Sequence, residues 1–146
     1  MKASEAALKA AGIIMEKGLS KGVLQDSEGR VCHNGAIFTA VNGDVLTLGN
    51  NPLVQEVIRR SQIILDRRGE NLAPHQLNDD EHTSAEDIIL LLKENAALDD
   101  DPEAMALIEE CRSRGEFAPQ VILELPSVAP FPKLFTVNSS NQIIPC

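Results

Sequence analysis

Several residue types are scarce in this chain, and each shortage narrows what the protein can do. The 146 residues include four phenylalanines but neither tryptophan nor tyrosine. Because aromatic rings supply the stacking surfaces that bind bases and sugars, this composition disfavours sites of both kinds. No apolar run approaches the roughly 20 residues of a membrane-spanning helix, and the first residues do not resemble a signal peptide. We therefore expect no membrane contact.

Cysteine is also rare, and the sequence lacks the spacings of common ligand sites. Three widely separated cysteines do not make the framework of a disulfide-rich secreted domain. No Cys-x-x-Cys or His-x-x-x-His pair indicates zinc. The glycine-rich phosphate loops and the Gly-x-Ser-x-Gly elbow are missing as well. We expect no metal and no cofactor, and a cytoplasmic location.

Basic residues are outnumbered, with 13 Lys and Arg against 22 Asp and Glu, for a net charge of −9. Residues 78–110 hold twelve carboxylates and one lysine, which gives −11 and leaves +2 for the rest of the chain. A phosphate backbone requires a basic face. The one candidate is a group of four arginines, which we interpret as the solvated side of an amphipathic helix (Arg59, Arg60, Arg67, Arg68). Nucleic-acid binding is thus not expected.

The segment from Asp26 to Val41 carries the strongest local signals. Asp26-Ser-Glu-Gly29 is typical of a tight turn, because Asp bonds the backbone two residues on and glycine supplies a positive φ. The turn predicts a small antiparallel β-hairpin near 22–32. Residues 33–43 fit two structures: a helix capped by Asn42-Gly43, or a strand leading into a second hairpin at the same dipeptide. We favour the helix.

Helical periodicity covers most of the chain up to Gly115. Ser4 is the expected cap of a first helix that ends at Gly18, and Asn51-Pro52 begins a long helix that ends at Gly69. A loop over 70–82 leads to a capping box of Thr83 and Glu86. A last helix begins at Asp101-Pro102. These patterns predict an α+β fold, with a mainly helical body of four to five helices, the small hairpin and a C-terminal extended arm.

The last 31 residues differ from the rest. Five prolines interrupt short apolar pieces between 116 and 146, which excludes a helix and confines any strand to a short or edge position. We expect 1–115 to form a single helical domain. The 116–146 arm would pack on its own domain or on a partner subunit, so that a protein partner or a homo-oligomer forms through it.

Two short motifs carry a family resemblance. Gly29-Arg-Val-Cys32 with Gly35-Ala36, and Asn78-Asp79 ahead of Thr83-Ser-Ala-Glu86, resemble a family of small uncharacterised proteins (a domain of unknown function) of actinobacteria and their phages. The resemblance covers roughly residues 3–98. Leu19 and Leu77 stand where family members often have tryptophan, and the tail from 99 has no counterpart. The family carries no established activity. It implies a bacterial or phage origin, in the cytoplasm or on a virion.

The motifs also contain one candidate catalytic group. Cys32 stands at the predicted start of the second helix, where the helix dipole favours a thiolate. A histidine, His33, His75 or His82, and Asn78 or Asp79 would complete a cysteine-dependent hydrolase or transferase. The plainer interpretation makes Cys32 a small buried apolar residue. It also makes Asn78-Asp79 a loop element that bonds its own backbone and sets the entry to the next helix.

By elimination, we expect a non-enzymatic protein-interaction protein that is virion-associated or modulates a host. The apolar arm, the acidic stretch and the absence of a strong catalytic motif favour this. The cysteine enzyme is the alternative.

Overall fold

A computed structural model describes residues 1–46 and 51–117 of the chain. These residues form six α-helices and a short 3-10 turn, Leu98–Asp100. The helices are α1 (Ala3–Lys17), α2 (His33–Asn42), α3 (Pro52–Arg67), α4 (Pro74–Asp79), α5 (Ala85–Ala97) and α6 (Pro102–Ser113). No helix in the described part is long and apolar enough to cross a membrane. The predicted arm lies outside these residues from 118 onward.

The α+β prediction is wrong, because the hairpin near 22–32 does not form. Within the described ranges, β-pairing is confined to two isolated bridges, Leu19 with Val31 and Gln25 with Val31. The turn itself exists: Asp26 Oδ1 accepts from the amides of Glu28 and Arg30, and Gly29 has a φ of 84°.

The flanking residues explain why the turn does not grow into a hairpin. The Val31 amide donates to Gly18 O at 3.1 Å, and the Ser20 amide donates to Val31 O at 2.9 Å. Val31 is thus bound to the end of α1 on one side and bridged to Gln25 on the other, while the Gly22 amide donates to Asp79 and not to a partner strand. The segment 18–32, hereafter the α1–α2 loop, is a folded loop and not a pair of strands.

Of the other predictions about helices and loops, some are confirmed and some are wrong. The helical interpretation of 33–43 is confirmed, with Gly43 as a left-handed cap at a φ of 87°. Asn51 and Pro52 start α3 as predicted. The capping box lies one residue later than predicted and uses Ser84 and Asp87. The expected loop over 70–82 contains the short helix α4, whose proline takes the first position.

The main core forms around α1, whose inner face consists mostly of alanine. Six α1 residues are buried: Ala3, Ala6, Ala7, Ala10, Ala11 and Ile14. Such small side chains let α5 and α2 approach closely, and residues of α3 join the same cluster. Close packing of this kind leaves little room for larger side chains.

A second core joins α3, α5 and α6. It contains Leu65, Leu91, Ile108, the free cysteine Cys111 and Phe117. Phe117 is 7% exposed. The contacts of the helical body thus reach at least two residues past the predicted boundary at 115, to the residue at which the described part ends.

One glycine is required by a close approach between segments. A Cβ added to Gly35 in the first turn of α2 would lie 1.9 Å from the carbonyl oxygen of Leu24. That oxygen also accepts the Cys32 amide at 3.2 Å, so the loop presses directly on the helix. By contrast, a Cβ on Gly12 in α1 meets nothing within 4 Å.

These two glycines give a matched test. We expect Gly35→Ala to lower the free energy of unfolding by about 2–3 kcal/mol, because backbone must shift to admit the methyl group. Gly12→Ala should instead raise it by about 0.5–1 kcal/mol, through better helix propensity. Urea unfolding measures both. Equal effects from the two substitutions would show that the loop does not press on α2.

Candidate functional site

The predicted site residues meet where the α1–α2 loop, the start of α2 and helix α4 come together. Asn78, near the end of α4, is fully buried. Its Oδ1 accepts the His33 amide at 2.9 Å, and its Nδ2 donates to Ser20 O at 2.9 Å and to Asp79 Oδ1 at 3.1 Å. One carboxamide therefore joins all three segments.

Two further contacts reinforce this junction. The carboxylate of Asp79 accepts the Gly22 amide at 2.8 Å. The Lys21 ammonium donates to the carbonyls of Asn78 at 3.0 Å, Thr83 at 2.8 Å and Asp80. Carbonyls at the end of a helix attract cations, which explains the position of the lysine. Together, Ser20, Lys21, Gly22, Asn78 and Asp79 form what we call the loop clamp.

The loop clamp gives the Asn-Asp pair a role that the sequence analysis did not anticipate. Apart from the contact between Asn78 and Asp79, its hydrogen bonds join residues 45 to 62 positions apart, whereas the sequence suggested local bonding around the entry to the next helix. Ser20 and Lys21 were missed. Nothing in their local sequence marks them, since a serine and a lysine after a helix are common on any surface.

Cys32 lies beside the clamp but is closed off from solvent. It caps α2, and its sulfur accepts the Gly35 amide at 3.3 Å. Its exposed fraction is 0%, and Leu24 and Val45 form an apolar cluster with it. A substrate cannot reach the sulfur while the α1–α2 loop is in place.

The three histidines have different environments. His75 is half-buried on α4, one turn before Asn78. His82 is on the surface, with a side chain 87% exposed and Nε2 3.3 Å from Glu81. His33 is fully buried: Nδ1 lies 2.8 Å from Asn34 Oδ1 and Nε2 lies 2.8 Å from Ser61 Oγ.

The partners of His33 fix its tautomer and its charge. Because Asn34 Oδ1 can only accept, Nδ1 carries the proton and Nε2 accepts from the Ser61 hydroxyl. Burial lowers the pKa of His33 from 6.5 to about 4, and the nearby His75 acts in the same direction. The imidazole is therefore neutral near pH 7 and serves as a core hydrogen-bonding group.

A chain of buried polar groups continues from His33 through the core. Asn95 Nδ2 donates to Ser61 Oγ at 2.9 Å, and Asn95 Oδ1 accepts from Arg60 Nε at 2.9 Å. Arg60, only 1% exposed, ends the chain in an ion pair with Asp99 at 2.9 Å. Buried polar groups need such partners. A signal existed in the sequence, because Ser61 falls on the apolar stripe of α3 between Val57 and Ile64.

The arginine group of α3 does not form an open basic face. Arg60 is a core residue, which corrects its assignment to a solvated side. Arg67 pairs with Asp101, and Arg68 pairs with Glu94 and, at 3.9 Å, with Glu70. These carboxylates offset the charge that a phosphate backbone would need.

Two arginines that line one cavity are also paired with carboxylates. A cavity of about 660 Å³ lies between the start of α1, α3 and α6. Its polar lining includes Arg60 with Asp99, and Arg112 with Glu56. Lys2 lines the cavity as well, so its cations outnumber its two carboxylates, Glu56 and Asp99. In the described part of the chain, no cluster of His, Cys, Asp and Glu could hold a metal ion.

Comparisons with known proteins give one finding. The model of a family of unknown function (DUF6197) matches residues 2–98. This span holds the loop clamp and helices α1 to α5, and it ends before α6. Neither the curated proteins nor the solved structures contain a match.

Removal of the central carboxamide tests the loop clamp. We expect Asn78→Ala to lower the free energy of unfolding by about 2–4 kcal/mol, because it leaves the His33 amide and the Ser20 carbonyl without their partner. Asn71→Ala, at an exposed position of the loop before α4, should change stability by less than about 0.5 kcal/mol. Chemical denaturation compares them. Similar small losses would mean that water replaces the carboxamide at no cost.

The buried His33 predicts a pH dependence of stability. Its pKa is about 4 in the folded chain against 6.5 in the unfolded chain, so the unfolded chain takes up the proton first as pH falls. Stability is complete above pH 6.5 and declines toward pH 4, with a loss of about 2 kcal/mol by pH 5.

Urea midpoints between pH 7.5 and 5 measure this dependence in the wild type and two variants. His33→Gln should be less stable but should lose the pH slope over that range. His82→Gln, at the exposed histidine, should keep it. A slope that survives in His33→Gln would assign the pH dependence to other groups.

Proposed function

The chain belongs to the family of unknown function DUF6197, and we propose that it acts there as a non-enzymatic protein-interaction protein. The observation that supports this proposal is what the motif residues contact. Asn78 and Asp79 are engaged with backbone groups and Cys32 is buried. The most distinctive motifs thus hold the α1–α2 loop in place. The contacts of these residues are accounted for without a substrate.

The interaction surface proposed for this function is the 116–146 arm. Its sequence is apolar and rich in proline, and such segments suit strand addition to a partner or exchange between subunits. Phe117 at its start is buried in the second core, so the arm leaves from a fixed point of the body. A rigid attachment lowers the entropic cost of presenting a segment to a partner.

The setting that we propose is bacterial: the cytoplasm of a bacterium or a phage-infected cell, with a virion-associated or host-modulating role. It rests on the resemblance of the Gly29–Ala36 segment to actinobacterial and phage proteins. A hydrolase or transferase that uses Cys32 has no support from the geometry, because its side chain is buried.

The arm can be tested by a charge-matched pair of variants. Ile122→Asp with Leu125→Asp should abolish binding through the arm, because two carboxylates would have to be buried in the contact. Ser139→Asp with Asn141→Asp adds the same charge at polar positions and should leave binding intact. The readouts are the sedimentation mass and the rebinding of a purified partner first recovered from a bacterial extract.

Truncation after Phe117 is the second part of this experiment. The described residues up to 117 contain three core clusters of their own, and we expect the truncated chain to keep its helical circular dichroism and cooperative unfolding. If it also keeps the mass and partner of the full chain, the arm is not the interface.

A further inference from the structure

The outer surface of the α1–α5 pair carries large apolar side chains that the fold leaves uncovered. Leu8 and Met15 of α1 are 53% and 65% exposed, and Leu90 of α5 is 53% exposed. Each of them alone would be ordinary. Leu8 and Met15, however, are seven residues apart and lie on one side of α1, and Met15 lines a groove with Leu90.

The two helices form a flat face because they run antiparallel. At one end, Ser4 of α1 lies near Asp99, just after α5. At the other end, Gly18 and Ala85 line the same groove of about 550 Å³. Gly12 lies between Leu8 and Met15 on this side of α1, and the space beside it is open. The face therefore has apolar ridges with a gap that can accept a side chain.

The charges of this face are arranged symmetrically. Glu86 and Lys93 are exposed on α5 and line the groove with Leu90. They lie at equal distances along the helix from a point between Ile89 and Leu90. When two α5 helices pack antiparallel about a two-fold axis through that point, Glu86 meets Lys93 of the partner subunit, and this contact occurs twice. Such self-complementarity is what a symmetric dimer requires.

We propose that the α1–α5 face binds a second copy of this chain, with α5 packed antiparallel against the α5 of the partner subunit. The apolar centre, Leu90 and Ile89 with Met15 and Leu8 beside them, supplies the buried area. The paired charges fix the register, since an antiparallel shift by one turn would break both ion pairs. This surface is distinct from the 116–146 arm, so the dimer does not depend on the arm binding anything.

Charge reversal tests the register in the full-length chain. Glu86→Lys alone, or Lys93→Glu alone, places like charges together twice in a homodimer, and each should weaken self-association about tenfold or more at low salt. Mixing the two variants restores both attractive pairs in the mixed dimer. Sedimentation equilibrium should therefore show weak association for each variant and wild-type association for the mixture.

Substitution of the apolar centre tests the same face independently of charge. Leu90→Gln should weaken the dimer about tenfold or more through lost apolar burial. Leu107→Gln, at a leucine of α6 that is 42% exposed, is the matched control and should leave the dimer unchanged. Circular dichroism confirms that each variant is folded.

Several results would overturn the proposal. A wild-type chain that stays monomeric at several hundred micromolar has no such interface. A dimer that tolerates both Leu90→Gln and the charge reversals uses another surface, and sensitivity to the Ile122 and Leu125 variants would then assign it to the arm. Failure of the mixture to recover association would exclude the antiparallel two-fold register.

Discussion

The structure depends on the buried carboxamide of Asn78. A fully buried amide has to find partners for its donors and its acceptor, and here the partners are backbone groups of the α1–α2 loop and the start of α2. These contacts hold the loop against α4, and the loop in turn presses its Leu24 carbonyl onto Gly35. The close fit of Gly35, the capped start of α2 and the enclosure of Cys32 all follow from where this side chain lies.

The sequence predicted the parts of the fold that arise from local physics. Proline at a first helical position, a glycine cap and the apolar stripe of α3 each identified a helix correctly. The hairpin does not extend beyond the Gln25–Val31 bridge, since the Gly22 amide donates to Asp79, a residue 57 positions away. Helix α4 was missed for a related reason: its six residues are too few to show periodicity.

The candidate site was likewise predicted only in part. The short motifs directed attention to Cys32, Asn78 and Asp79, and the structure places these residues around one junction. What the motifs could not show was the role of each residue, because a buried cysteine and a nucleophile look alike in sequence. Arg60 was predicted to lie on a solvated face, because it is one of four arginines close in sequence. It is buried instead, and its hydrogen bonds to Asn95 and its ion pair with Asp99 offset the cost of burying the charge.

The length of the connections in the loop clamp has a consequence for biosynthesis. The α1–α2 loop leaves the ribosome long before α4, since Lys21 bonds carbonyls 57 to 62 residues further along. Until those residues emerge, the Ser20 carbonyl, the Gly22 amide and the His33 amide lack the partners that Asn78 and Asp79 supply. The N-terminal third of the chain therefore cannot complete its own structure until α4 has emerged. It closes late, in a step governed by long-range contact formation and not by the helical propensity of α1 and α2.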